Sequence, residues 1–381
     1  MFTPKLRFFI PLLLSGLVAC SGTSATDKSD APSLADKNDS GLRMQAVSTD
    51  LDRPWGMDFL SAQHVLVAEK GGSLLQLELG SGQAQAIAGI PDSVVAGQGG
   101  LMDVLVQRQG DQVWVYLSYA VAGEGGYSTR IARGRLQGAQ LEDVQLLFTA
   151  QPFYGTRRHF GSRLLIVDDY LYASVGDRAQ REQAQNLQTH NGTVIRLHTD
   201  GRVPTDNPFS GRADALPEIW TYGHRNPQGM ARHPDGSIWV SEHGPQGGDE
   251  INRLVAGANY GWPVITYGEE YGGGKIGVGT EKAGMEQPLK YYLPSIATTG
   301  IDFYQGDRYP GWDDSLLVAA LRATHLNRVQ LDGSGLGQEY RYFEDSKLRF
   351  RDVQLGPDGY VYVLTDSGGF YRVMPTAAGG G

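Results

Sequence analysis

A single cysteine, Cys20, in 381 residues excludes any disulfide within the chain. Hydrophobic runs are short; the one from Phe8 to Val18 cannot span a bilayer. Positive charge is in deficit, with 33 Lys and Arg against 42 Asp and Glu, and the net charge of −9 argues against a nucleic-acid surface. The signs are scattered, which argues against a broad membrane-binding face. Long amphipathic helical patterns are absent, no Cys/His spacing suits zinc, and no glycine-rich strand-to-helix motif suits a nucleotide.

The first residues carry an export signal. Lys5 and Arg7 precede the apolar run Phe8 to Val18, the n-region and h-region of a secretory leader. Leu17-Val18-Ala19-Cys20 resembles the bacterial lipobox, whose cysteine becomes the lipidated first residue of the mature protein. Residues 1–20 therefore read as a lipoprotein signal peptide, and membrane contact is expected only through a lipid anchor at Cys20. Ser21 rather than Asp at the next position points to the outer membrane, on the periplasmic side, by analogy with known sorting. An incidental cysteine behind an ordinary leader is the plain alternative. Residues 21–41 offer almost nothing to bury and read as a solvated tether.

Residues 42–375 form the folded body. The chain has 52 glycines, and short alternating runs bounded by Gly, Asp and Pro dominate, the pattern of an all-β protein. One unit recurs: a turn, then a short apolar strand. It appears at His64–Ala68, Gln112–Leu117, Tyr170–Ser174, Ser237–Ser241, Ser315–Ala319 and Gly359–Leu364. Six such copies predict a six-bladed β-propeller, with a two-sheet sandwich as the competing architecture. Radial closure predicts that the strand at Leu42 to Thr49 pairs with the last blade near Phe370 to Val373.

Chemistry concentrates between Tyr222 and Tyr260. Gly223-His-Arg-Asn-Pro-Gln-Gly and Glu242-His-Gly-Pro-Gln-Gly-Gly-Asp-Glu are too rich in Pro and Gly for helix or ladder. They flank a short apolar strand and are expected at one end of a sheet. Their carbonyls, carboxylates and guanidinium suit an anionic ligand and a hard cation such as Ca²⁺; two ordinary β-turn loops remain the bland reading. Other polar loops adjoin the repeat strands: Gln98-Gly-Gly, Arg157-Arg-His159-Phe-Gly, Gly176-Asp177, Leu321-Arg322 and Arg349-Phe-Arg351-Asp352. In a propeller they converge on one mouth of the channel. There Arg225, Arg322, Arg349 and Arg351 form a local positive site for a poly-carboxylate. Arg349 and Arg351 alternate along a strand and point the same way.

These motifs, together with Asn259-Tyr-Gly-Trp and Gly356-Pro-Asp-Gly-Tyr, resemble the soluble aldose sugar dehydrogenases. Those are six-bladed quinoproteins related to soluble glucose dehydrogenase. The resemblance runs from about Val47 to Val373 with the motifs in family order. It implies calcium and pyrroloquinoline quinone (PQQ) as cofactors, an aldose as small-molecule substrate, and an electron acceptor that the sequence leaves unspecified. It implies His159 as the general base for the anomeric hydroxyl, with hydride passing to the quinone, and Asp177 as orienter of the imidazole. Gln98, Arg225, Asn226, Arg322, Arg349, Phe350 and Arg351 fall on quinone-binding positions, with Arg225 flat against the ring. Ala320 and Leu321 flank that site, and Tyr271 is a further contact. Gly244 and Pro245 match carbonyls that hold calcium on the quinone. Glu250 and the Tyr260 carbonyl match a calcium position of the aldose branch, so one ion or two are both open. Arg322 departs from the Lys of glucose dehydrogenase. The Tyr267–Leu293 loops are shorter than in that enzyme and lack its cysteines, so neither glucose preference nor dimerisation carries over.

His224 and His243 read as loop-packing histidines. A calcium-dependent lactonase on the same fold needs carboxamide and carboxylate side chains around the channel, where this chain presents arginines. A non-catalytic binding propeller is the third reading, opposed by His159 together with the arginine set.

Overall fold

The computed structural model describes residues 33–35, 41–332 and 335–376. The predicted signal peptide and Cys20 lie outside the described residues. Six separate antiparallel sheets make up the body and exclude the two-sheet sandwich. Their innermost strands are Pro54–Phe59, Leu101–Gln109, Gly161–Val167, Pro227–Arg232, Thr298–Tyr304 and Phe350–Leu355. Each packs beside the next around one axis, and the sixth returns to the first. This is a six-bladed propeller, with blades numbered here from Pro54 onward.

The six recurrent strands predicted from sequence are all the second strand of a blade: His64–Glu69, Gln112–Gly123, Tyr170–Val175, Ile238–Glu242, Ser315–Ala320 and Val361–Thr365. Second strands sit between two neighbours and bury both faces, so most of their residues are apolar. Ser315–Ala320 is buried at every residue. Outer strands are half solvated and carry a weaker pattern.

The ring closes as expected. Leu42–Ser48 pairs antiparallel with Phe370–Pro375, with Met44 opposite Val373. Ser33–Ala35, within the predicted tether, pairs with Gln45, Met44 and Arg43 as a further edge strand of blade 6. An unpaired edge at Leu42–Ser48 offers free backbone groups, and this segment takes them. Blades adhere through apolar faces; Val65, Val67 and Leu77 of blade 1 pack with Tyr362, Leu364 and Phe370 of blade 6. Each such fully buried side chain contributes roughly 1.5–3 kcal/mol.

One regularity positions the site. The first residue of each inner strand pairs with the last residues of the second: Pro54 with Glu69, Leu101 with Tyr119, Gly161 with Val175, Pro227 with Glu242, Thr298 with Ala320, Phe350 with Thr365. Whatever precedes an inner strand or follows a second strand therefore lies at the same mouth of the channel. A register break follows directly after every one of these pairs. Such bulges turn the chain and aim side chains away from the ladder.

Candidate active site

Gln98, Arg157 to His159, Arg225 and Asn226, Ala297, and Arg349 precede inner strands; Lys70, Asp177, His243 to Pro245, Leu321 and Asp366 follow second strands. All but Arg157 and Gly244 line two adjoining cavities that share Gln98.

The larger cavity, about 570 Å³, is lined by Gln98, His159, Asp177, Arg225, Pro245, Trp262 and Tyr271 among others. His159 sits in the left-handed region at φ 53°, costly for a residue with a Cβ and sustained here by its surroundings. Its N–H donates to Gln98 Oε1 at 2.6 Å, and its carbonyl abuts Gly176, where a Cβ would approach that oxygen to 2.1 Å. Behind the loop, the buried Arg178 stacks on Phe160 at 3.4 Å and donates to the carbonyls of Thr156 and Arg158.

His159 Nδ1 lies 2.7 Å from Asp177 Oδ1. A carboxylate there holds the ring proton on Nδ1, which leaves the Nε2 lone pair basic. Burial pushes the His159 imidazole below its ordinary value; Arg225 and Arg178 add to this and Asp177 opposes it. The ring is thereby neutral near pH 7, as a proton acceptor must be.

Arg225 links the two loops singled out in the sequence. Its N–H donates to Glu242 Oε2 at 2.7 Å, and its Nη1 donates to the carbonyls of His243 and Gly244 at 3.0 and 2.7 Å. Its carbonyl accepts from the Asp177 N–H at 2.8 Å. The guanidinium stands 5.4 Å from the Trp262 ring, and its buried Nε has no partner.

The second cavity, about 330 Å³, collects positive charge. Lys70, Arg349 and Arg351 line it, and Asp366 is its acid. Arg349 Nε and Arg351 Nε divide that one carboxylate at 3.1 and 2.9 Å. Lys70 is lowered by burial and by Arg53 and Arg351; Arg351 is lowered by burial and by Arg349. Cations that depress one another around shared space fit a multiply anionic ligand. His243 also lines this cavity. Burial and the charges of Arg225 and Arg351 push it down to about 3, so it is neutral, and its Nε2 has no partner.

Gly244, Glu250 and Tyr260 surround a third space of about 10 Å³, room for one small occupant. Burial and the adjacent Glu242 carboxylate push Glu250 up to about 8. The two acids share Asn252 Nδ2 at 3.1 Å each. A buried carboxylate paired with a half-buried one fits a hard cation. Among the described residues no group of three His, Cys, Asp or Glu side chains could hold a metal, so a cation here would draw on backbone carbonyls as well.

Gln98, His159, Asp177, Arg225, Asn226, Leu321, Arg349 and Arg351 thus come together at the mouth, with Pro245 beside them and the 72 % exposed Tyr271 on the rim. Three predicted quinone-site residues do not reach it. Arg322 is exposed and lines neither cavity; it lies in the turn that follows Ser315–Ala320, where Leu321, its neighbour, faces the cavity and its own N–H donates to the Ile296 carbonyl at 2.9 Å. Phe350 is fully buried in the blade core, because the alternation that aims Arg349 and Arg351 at the cavity turns the residue between them away. Ala320 is likewise buried between blades. His224 is buried, stacked on Tyr260 and bonded to Glu242, a packing residue as expected. Sequence reasoning missed Lys70, Asp366, Trp55 and Gln228; their only signal is their position at the tops of inner or second strands.

The profile of the family described as Glucose / Sorbosone dehydrogenase matches residues 51–372. The chain is 39 % identical to the aldose sugar dehydrogenase YliI of Escherichia coli over 347 residues, covering 88 % of this chain and 93 % of that protein. It is 32 % identical over 291 residues to the quinoprotein glucose dehydrogenase B of Acinetobacter calcoaceticus, covering 56 % of this chain and 60 % of that protein. The crystal structure of the soluble aldose sugar dehydrogenase of E. coli in its apo form superposes with a TM-score of 0.84 at 38 % identity, over 88 % of this chain and 99 % of that one.

Proposed function

Because this chain belongs to the glucose/sorbosone dehydrogenase family, we propose that it oxidises aldoses at the anomeric carbon to lactones, with PQQ and Ca²⁺ bound in the channel mouth. The reading is carried by one juxtaposition: a neutral histidine on a carboxylate, opening beside a cavity lined by Lys70 and by Arg349 and Arg351, which share one acid. When bound, the quinone supplies the acceptor for the hydride of the anomeric C–H, and Ca²⁺ supplies charge that polarises it.

The chain's residues do the rest. Lys70, Arg349 and Arg351 would hold the carboxylates of the cofactor, and Arg225, Gln98 and Asn226 would complete its pocket. The carbonyls of Gly244 and Pro245 suit one Ca²⁺, and Glu250 with the Tyr260 carbonyl suits another. Nε2 of His159 accepts the proton of the anomeric hydroxyl, and Asp177 stabilises the imidazolium that results. Proton and hydride leave together, and the hemiacetal becomes a lactone. The electrons taken up by the quinone would leave to an external acceptor. Lipidation at Cys20 would hold the enzyme on the periplasmic face of the outer membrane.

The test is reconstitution of the apoprotein with PQQ and Ca²⁺, followed by dye reduction with a panel of aldoses. Lactone formation that requires both cofactors is expected. A reconstituted protein that reduces dye with no aldose would overturn the proposal.

A further inference from the structure

We propose that Trp262 is a positioning residue: its indole N–H fixes the far oxygen of Asp177 and so holds the His159 ring in working orientation. This rests on the dehydrogenase reading above and deepens it. Trp262 Nε1 donates to Asp177 Oδ2 at 2.7 Å. The other oxygen, Oδ1, takes His159 Nδ1 and the Ala179 N–H, each at 2.7 Å. With donors on both oxygens, the carboxylate cannot swing about its own axis, and the imidazole that leans on it cannot either. The backbone of Asp177 is tied as well, its N–H to the Arg225 carbonyl at 2.8 Å and its carbonyl to Asn191 Nδ2 at 3.0 Å.

The indole is itself anchored. The Trp262 N–H donates to the Gly223 carbonyl at 2.8 Å, its carbonyl accepts from Gln185 Nε2 at 2.8 Å, and its ring packs on Ala184 and Ile276. The guanidiniums of Arg225 and Arg181 stand 5.4 and 5.7 Å from it. Phenylalanine would fill most of this space and keep the π face for both arginines, but it has no donor. The N–H is therefore what a Trp adds here. Trp262 belongs to the long connection of blade 4, whereas Asp177 and His159 belong to blade 3, so the bond locks one blade's loop to the other's acid–base pair.

The charged groups acting on the His159 ring are Asp177, Arg178 and Arg225. Removing the indole donor leaves more of the Asp177 charge for the imidazolium and frees the carboxylate to rotate. His159 should become more basic and less well aimed.

The experiment follows ¹⁵N-indole and histidine ring resonances of the apoprotein across pH, beside the pH profile of the reconstituted enzyme. In wild type, the Trp262 indole N–H should titrate with the same midpoint as the His159 ring. In Trp262→Phe that midpoint should move up, the acid limb of sugar oxidation should move with it, and kcat should fall roughly 10–100-fold, the usual cost of losing an outer orienting partner. KM should change little. Ile276→Ala, which loosens the packing and spares the N–H, should leave both midpoints in place. A wild-type indole that ignores the His159 titration overturns the proposal, even if the Phe variant fails to fold. So does a Phe variant with lost turnover and an unmoved midpoint, or an Ile276→Ala that shifts it equally. Wild type without any sugar oxidation would strike the functional reading alone, and the indole titration would still decide this one.

Discussion

Replacing Arg163 with methionine should loosen the whole propeller, and more so in alkali than in acid. Arg163 is buried in the channel where four blades meet. Its Nη1 lies 3.0 Å from Asp103 Oδ1 of blade 2, its Nη2 lies 3.2 Å from Asp352 Oδ1 of blade 6, and its Nε donates to the Gln228 carbonyl of blade 4 at 2.9 Å. The guanidinium stands 4.7 Å from the Trp55 ring, beside the cation cavity. Methionine leaves two buried carboxylates without a counter-charge, which typically costs about 3–5 kcal/mol. Burial already pushes Asp103 up to about 7 and raises Asp352, with Arg163 opposing both. Acids raised in the folded state bind protons there more tightly than in the unfolded chain. Their contribution is complete below the unfolded value of about 3.9 and is lost as pH climbs through the folded one, by up to about 1.4 kcal/mol per pH unit for each group. Without Arg163 the folded values rise further, so the loss extends to higher pH. Urea unfolding at pH 5 and pH 8 should therefore show a larger deficit at pH 8. Adding Asp103→Asn and Asp352→Asn to Arg163→Met should recover much of that deficit. A deficit below about 1 kcal/mol, or equal at both pH values, would refute the hub.

Three further outcomes are expected. His159→Ala should keep cofactor affinity and lose turnover by roughly 10²–10⁴; since burial and Arg225 depress the wild-type imidazole, wild-type activity should fall only below the ordinary histidine range, and near-normal turnover of the variant in dye assays would dismiss His159 as the base. Arg351→Ala should weaken PQQ binding by about 2–5 kcal/mol, whereas the exposed Arg322→Ala should leave the titration curve unchanged; equal losses would mean that both face the cofactor. Cys20→Ser should release the protein from bacterial membrane fractions or leave it unprocessed, and identical processing and soluble fractionation of both forms would end the lipoprotein reading.

The propeller was legible because one strand type announces itself. Second strands such as Leu316–Val318 and Tyr362–Leu364 are buried on both faces, so apolar runs recur once per blade. Inner strands are harder to read. They carry Asp58, Asp103, Asp302 and Asp352 facing the axis, each accepting a backbone N–H from the next blade at Val106, Leu164, Leu355 or Met57. A buried acid that binds another blade's backbone looks in sequence like an ordinary polar break, and that is why the Arg163 hub left no signal.

The site was legible where backbone chemistry forced unusual composition, at His159-Phe-Gly161, Arg225-Asn226-Pro227 and His243-Gly244-Pro245. It is hardest to read where one residue of phase decides which way a side chain faces. A bulge follows the first pair at the top of every blade, so the ladder's alternation has to be counted outward from the bulge. Arg349 and Arg351 enter the cavity and Phe350 leaves it; in the turn after Ala320, Leu321 lines the cavity and Arg322 is exposed. Lys70, after the second strand of blade 1, lines the cavity that Arg322 does not, and Gly97 O accepts from its Nζ at 2.5 Å. What the ligand demands is net charge within reach of its carboxylates, and a propeller offers the top of a second strand in every blade from which to provide it. Residue-by-residue transfer of a binding set is accordingly weakest for long cationic side chains and strongest for His159, whose left-handed backbone admits few substitutes.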